Sequence, residues 1–130
     1  MIPKFRAWIK EEKCFADYIE TIRYYAKEVD LCWGGICESD CFDFEGVIFT
    51  QSTGLKDKNG KEIFEGDILA VEADDGVIIL KVSWDDEHAL FVIKTKKFNE
   101  ETALAELVDD NSYPFEVIGN IYENKELLDA

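Results

Sequence analysis

The feature that most restricts this chain is the regular alternation of turn signals and short apolar runs between residues 58 and 96. Lys58-Asn59-Gly60-Lys61 carries the Asn-Gly pair of a type I′ hairpin turn, in which both central residues need positive φ. Glu65-Gly66-Asp67 is a second turn signal. Residues 68–72 then read as a strand, Asp75-Gly76 turns the chain, and residues 77–84 return as the next strand. A polar turn at 85–88 leads into a third strand over 89–96. Three strands joined by tight turns make an antiparallel meander, whose edges must bend, close or be covered. Val77-Ile78-Ile79-Leu80 is apolar without alternation, which predicts cover on both faces there.

The flanks are read with the same rules. Lys4-Phe5-Arg6-Ala7-Trp8-Ile9 alternates and predicts a strand with Phe5, Ala7 and Ile9 on one face. Residues 16–29 are ambiguous. Tyr18, Ile22, Tyr25, Ala26 and Val29 recur at helical spacing, while Ile19, Thr21, Ile22, Tyr24 and Tyr25 are good strand formers. Gly34-Gly35 ends that segment in a turn, and residues 47–51 read as a strand. Asn99 is an expected N-cap, with Glu100 and Glu101 in the first turn of a helix. Ala103, Leu104, Leu107 and Val108 form its apolar stripe, and it ends near Asp110. Pro114 restarts extended chain, residues 115–122 read as a last strand, and Asn124 caps a short turn through Leu128. No internal repeat, low-complexity run or linker interrupts the chain, so one domain is expected over its 130 residues.

Composition excludes several classes. With 47% hydrophobic and 13% aromatic residues the chain has too much apolar payload to stay disordered, and at this size it buries a real core. Neither a transmembrane span nor the apolar core of a signal peptide is present, since Lys4, Arg6 and Lys10 interrupt the start. A cytoplasmic protein is therefore expected, with Cys14, Cys32, Cys37 and Cys41 as reduced thiols. The formal charge is −15, from 14 basic and 29 acidic residues. Such a field repels phosphates, which argues against direct nucleic-acid binding. The one local basic cluster, Lys94, Lys96 and Lys97, lies between the acidic runs 85–87 and 100–101. The same field would attract a basic host protein, and it also keeps a protein soluble.

Residues that could carry chemistry have plainer readings. Cys32, Cys37 and Cys41 would make a poor zinc site, because only the 37–41 spacing fits a ligand knuckle. Buried thiols acting as small hydrophobes account for them as well. His88 sits in a turn beside Asp85, Asp86 and Glu87, a setting for a general base, but no nucleophile motif accompanies it. Asp74-Asp75 and 85–87 lack the alternate acidic positions of a calcium loop and read as solvated turn charges. Trp8, Trp33 and Trp84 read as core rather than as stacking platforms. Neither a phosphate loop nor a dinucleotide fingerprint occurs, so no cofactor is expected and the chain reads as a non-enzyme.

Three blocks, KFRAW at 4–8, TGLKDKNGKEIFEGDIL at 53–69 and VIGNIYENKELL at 117–128, resemble in order and spacing the YopX family of small phage and prophage proteins. The resemblance runs nearly end to end and is weakest over 10–47, so no family role attaches to the cysteines. It implies a mainly β fold with a minor α part. The C-terminal half, 53–130, would curl into a small SH3-like β-barrel with one short helix, and the N-terminal β part, 1–52, would pack on it. It also favours strand over helix within 16–29. It supplies no activity. The function expected is that of a non-enzymatic phage accessory protein acting through protein binding or self-association, with Lys56, Lys58 and Lys61 as an interaction loop. Two rival readings are an acidic DNA mimic that occupies a host DNA-binding protein, and a metal-dependent or nucleotide-processing enzyme using His88 and its neighbouring acids.

Overall fold

A computed structural model describes residues 4–34, 39–95, 101–109 and 113–128, and the chain divides into two compact units, Met1–Gln51 and Ser52–Ala130. The fold is mainly β with a minor helical part, as the sequence implies.

In the first unit, β1 (Phe5–Ile9) pairs antiparallel with β2 (Cys14–Phe15) and with the first half of β6 (Val47–Lys56). The Phe5↔Gln51 to Ile9↔Val47 register places Ala7, Ile9 and Val47 in the core. Arg6 keeps its charge outside by donating from Nε to Thr50 Oγ1 at 2.8 Å and lying over the Phe15 ring. A second antiparallel sheet orders β3 (Tyr18–Arg23), β4 (Glu28–Cys32) and β5 (Asp40–Asp43). The ambiguous segment is thus strand, hairpin loop and strand.

The helix-spaced residues share no buried face, since Tyr18, Tyr25 and Ala26 are exposed while Ile22 and Val29 turn inward. The β3–β4 register shifts between Ile19 and Thr21, so Ile19 opposes Leu31 while Ile22 opposes Val29. One extra residue lets Ile19 and Ile22, three apart, face the same core. Tyr24 and Tyr25 fall in the loop instead and are 71% and 89% exposed. β2 and β5 were not foreseen. Each is short and has too little alternation to be read from sequence.

In the second unit, β7 (Glu62–Phe64) pairs with the end of β6. The meander follows as β8 (Asp67–Ala73), β9 (Gly76–Asp85) and β10 (Leu90–Lys94). With β11 (Glu101–Ala103) and β12 (Phe115–Asn120) it forms a five-stranded antiparallel sheet in the order β11-β10-β9-β8-β12. Leu69, Val71, Leu80, Val82 and Ile93 share one face and bury with Ile63, Leu104 and Phe115. Ile68 and Val92, on the opposite face, are also buried, but the cover on both faces expected at Val77-Ile78-Ile79-Leu80 is absent: Val77 is 64% and Ile78 37% exposed at the hairpin end of the strands, and only Leu80 is buried.

Two local expectations are overturned. The helix does not begin near Glu100: residues 101–103 pair with β10 through Lys94↔Glu101, Ile93↔Thr102 and Val92↔Ala103. Only Leu104–Asp109, α1, is helical. An uncovered β10 edge and the Lys94–Glu101 ion pair at 3.3 Å outweigh the favourable dipole position of Glu101. The expected cap, Asn99, lies outside the described residues, as do Glu100, Lys96 and Lys97. The hairpin after β6 is not type I′ either. Asn59 has no positive φ and Gly60 alone does, at +79°. Gly60 N donates to Asp57 O at 3.0 Å, and Asp57 N donates to Lys61 O at 2.9 Å. This is a three-residue loop, a type I turn followed by a left-handed glycine.

The end of the chain turns back on β12. Asn120 Oδ1 accepts from Tyr122 N and Glu123 N, and Asn124 Oδ1 accepts from Asn120 N. Asn124 therefore holds the turn from within, while its own carbonyl accepts from Leu127 N at 3.0 Å in the 3-10 turn Lys125–Leu128. Gly119 makes room for it: a Cβ there would stand 2.5 Å from Asn124 Oδ1 and 2.9 Å from its Cβ. Gly119→Ala is expected to destabilise the fold by about 1–3 kcal/mol through this overpacking. Gly119→Ala/Asn124→Gly should recover part of the loss in urea denaturation.

Candidate binding site at the lysine-bearing hairpin

The interaction loop expected from sequence, Lys56, Lys58 and Lys61, lies around the β6–β7 hairpin, with all three residues exposed. Its conformation is set by Asp57. This carboxylate is only 8% exposed, and it accepts from Asn59 N at 2.9 Å, Lys61 N at 2.8 Å and Val117 N at 2.9 Å. Burial works against its charge. The three backbone donors outweigh burial, aided by the Lys61 charge, and hold the carboxyl below its usual range.

Val117 lies on β12, the edge strand of its sheet, 60 residues along the chain. Lys58 N donates to Phe115 O at 3.2 Å on the same strand. The loop and its aspartate thus occupy the hydrogen-bonding positions that an added strand would take. Asn59 Nδ2 adds a contact to Glu116 Oε2 at 3.2 Å.

Beside this junction lies a cavity of about 280 Å³. Lys56, Asp57 and Lys58 line it from the hairpin, Tyr113, Pro114 and Phe115 from the approach to β12, and Val108 from α1. Lys58 Nζ has one loose ion pair, 3.6 Å from Glu72 Oε1, with both side chains exposed. Lys56 makes no ion pair among the described residues. Since the Asp57 charge is absorbed by backbone N–H groups, the hairpin presents positive charge on a chain of formal charge −15. Such a site can bind an anionic group attached to an apolar body. Sequence reasoning found the lysines; Tyr113 and Val108 gave no signal, because their nearness to the hairpin is tertiary.

The other candidates stay apart. His88 Nδ1 sits 2.7 Å from Asp85 Oδ2, and this bond, with backbone N–H donors from His88 and Glu87, lowers the Asp85 carboxyl below its ordinary range. The imidazole is 65% exposed, and no serine or cysteine partners the ring among the described residues. The two residues close the β9–β10 turn. Among the described residues no three His, Cys, Asp or Glu side chains gather as a metal cage. Trp8 is buried against Phe15, Trp33 packs on Phe42, and Trp84 stacks edge-on to Phe91 while 38% exposed.

The expectation of four reduced thiols is corrected. Cys32 is disulfide-bonded, while Cys14 and Cys41 are free. That expectation followed from an assumed reducing compartment rather than from any property of the residues, and an oxidised Cys32 cannot serve as a thiolate ligand. Cys37 lies outside the described residues.

A charge cluster missed in the sequence surrounds Cys41. Arg23 clasps Asp30 with two bonds, of 2.6 and 2.8 Å, and approaches Cys41 Sγ. Cys41 Sγ donates to Glu28 Oε2 at 3.3 Å. The Glu28 carboxylate pushes the thiol pKa up despite Arg23, and Arg23 pulls the Asp30 carboxyl down. The cross-strand positions that unite these four residues were hidden while residues 16–29 were undecided.

A family model described as YopX protein matches residues 4–129, and the chain belongs to that family. Protein EF1440 from Enterococcus faecalis has a crystal structure that matches at a TM-score of 0.66 and 29% identity, covering 98% of this chain and 99% of that one. The crystal structure of protein YopX from Bacillus subtilis matches at a TM-score of 0.62 and 20% identity, covering 95% and 96% of the two chains, and shows the likeness of fold. No curated protein matches. The second and third sequence blocks meet in this fold, because the bond from Val117 to Asp57 joins them.

Asp57→Ala leaves three backbone donors without their acceptor and should cost about 2–4 kcal/mol in denaturant melts. Because the folded-state pKa of Asp57 is depressed, its contribution is complete above the ordinary carboxylate pKa of about 4 and fades as pH falls through the lower folded value. The stability gap between the wild type and Asp57→Asn should therefore narrow as the pH falls below about 4. At Cys41 the raised pKa predicts slow alkylation by iodoacetamide at pH 8, and Glu28→Gln should accelerate it.

Proposed function

We propose that this chain is a non-enzymatic accessory protein of a phage or prophage that works in the bacterial host by binding another protein. The contact is the β6–β7 hairpin, presented by a C-terminal unit of small SH3-like type. The observation that carries this reading is the pairing of a loop held by Asp57 with exposed lysines. Asp57 ties the hairpin to β12, while Lys56, Lys58 and Lys61 remain exposed around it. Preorganised loops bind with little ordering cost. Membership of the YopX family supports the phage setting.

Action in the host cytoplasm belongs to the same proposal, and no helix among the described residues is long and apolar enough to cross a membrane.

The test compares tagged wild type with Lys56→Ala/Lys58→Ala/Lys61→Ala in pull-downs from host lysate, washed at graded salt and read by mass spectrometry. A protein recovered in stoichiometric amount with the wild type and lost with the triple variant is the expected result. A basic protein recovered equally by both forms and released by salt would move the contact to the acidic surface and overturn the hairpin. Recovery of the bait alone, with a concentration-dependent oligomer in sedimentation, would replace a foreign partner by self-association.

A further inference from the structure

We infer that the cavity beside the hairpin receives one apolar side chain of an acidic peptide segment in the partner protein, with the segment's carboxylates meeting Lys56 and Lys58. This deepens the protein-binding reading and rests on it.

Size is the first argument. At about 280 Å³ the cavity falls near the lower end, roughly 300 Å³, of pockets that hold small molecules and cofactors. A single large side chain fits that space. Lining chemistry is the second. Val108, Tyr113, Pro114 and Phe115 offer apolar surface, and Tyr113 is 38% exposed, so a guest side chain would displace water from it.

Charge selects the occupant. Lys56 has no ion-pair partner among the described residues, and Lys58 holds Glu72 only across 3.6 Å in the open. An exposed pair of this kind is worth little and exchanges readily for a better-placed carboxylate. Asp57, the one acid in the lining, would repel an anion if its oxygens faced the cavity unshielded. They are instead occupied by the N–H groups of Asn59, Lys61 and Val117. The site therefore favours negative charge set next to an apolar group.

A nucleic acid would present negative charge too, but as a long polyanion facing a chain of formal charge −15. A short acidic peptide carries its few charges at the hairpin alone, where Lys56 and Lys58 are exposed. The peptide is the better complement on both counts.

The experiment titrates the full chain with acetyl-Glu-Phe-Glu-amide and follows backbone amides by two-dimensional ¹⁵N NMR. Shifts of the amides of Lys56, Lys58, Lys61 and Phe115 are expected. Binding should weaken when the glutamates are replaced by glutamine, and again when the phenylalanine is replaced by glycine. Lys56→Gln, an exposed change that leaves Asp57 and its bonds intact, should lower the affinity about three- to fivefold, as befits one solvent-exposed charge pair. Equal binding by all three peptides, no shift at the hairpin at millimolar peptide, or an unchanged affinity in Lys56→Gln would each overturn the inference. So would a thymidine octanucleotide that shifts the same amides where the peptide does not. If the peptides fail while the triple lysine variant still loses its captured protein, the cavity assignment falls and the hairpin contact stands. If the peptides bind while capture is unaffected by the triple variant, the cavity takes acidic peptides but the hairpin falls as the protein contact, and with it the assignment of the partner's segment to this cavity.

Discussion

The Asp57 carboxylate joins two parts of the second unit that lie far apart in the chain. It fixes the hairpin loop from inside through Asn59 and Lys61, and it reaches Val117 on a strand 60 residues away. A buried carboxylate is costly unless its lone pairs are filled, and here backbone N–H groups fill them. Those donors would otherwise be loop and edge-strand orphans. One side chain thus solves two problems of a small β unit: the shape of a tight hairpin and the open edge of β12.

Around that junction the apolar framework is conventional. Each unit has its own core, one built on Ala7, Ile9, Val29, Leu31 and Val47, the other on Ile63, Leu69, Val71, Leu80, Val82, Ile93, Leu104 and Phe115. The second core is set by cross-strand registers such as Leu69↔Leu80 and Ile93↔Val82, which bring paired side chains to one face. Close approach completes it, as where Gly119 admits Asn124 and lets the chain end fold back on β12.

The electrostatics separate by scale. Over the whole chain the charge is −15, which governs solubility and long-range attraction. Locally the acids are often spent on structure: Asp57 on its loop, Asp85 on the β9–β10 turn, Asp30 on Arg23. At the hairpin Lys56, Lys58 and Lys61 stay exposed while the Asp57 carboxylate is committed to backbone N–H groups. Net charge read alone points toward a basic partner, whereas the partner segment proposed for this loop is acidic.

Much of the fold was legible in the chain. Alternation in β1, the turn residues that bound β8, β9 and β10, and the loop-bearing lysines are local facts, decided by residue type and spacing. Family membership too was carried by three short blocks, and the second and third of them are joined in the fold by the bond from Val117 on β12 to Asp57. Tertiary structure decided the rest, for identifiable reasons. The helix-spaced apolar residues of 18–29 turned out to be strand and hairpin-loop positions, with Tyr18, Tyr25 and Ala26 exposed, and a bulge in β3 set Ile19 and Ile22 toward one core. Residues 101–103 became an edge strand because β10 was there to pair with. The Asn-Gly turn took a three-residue form because Asp57 offered its carboxylate to the loop. The cavity exists only where Val108 and Tyr113 are folded against the hairpin. Local propensity is written in neighbouring residues, whereas partners distant in sequence are chosen by packing and by the need to satisfy buried polar groups.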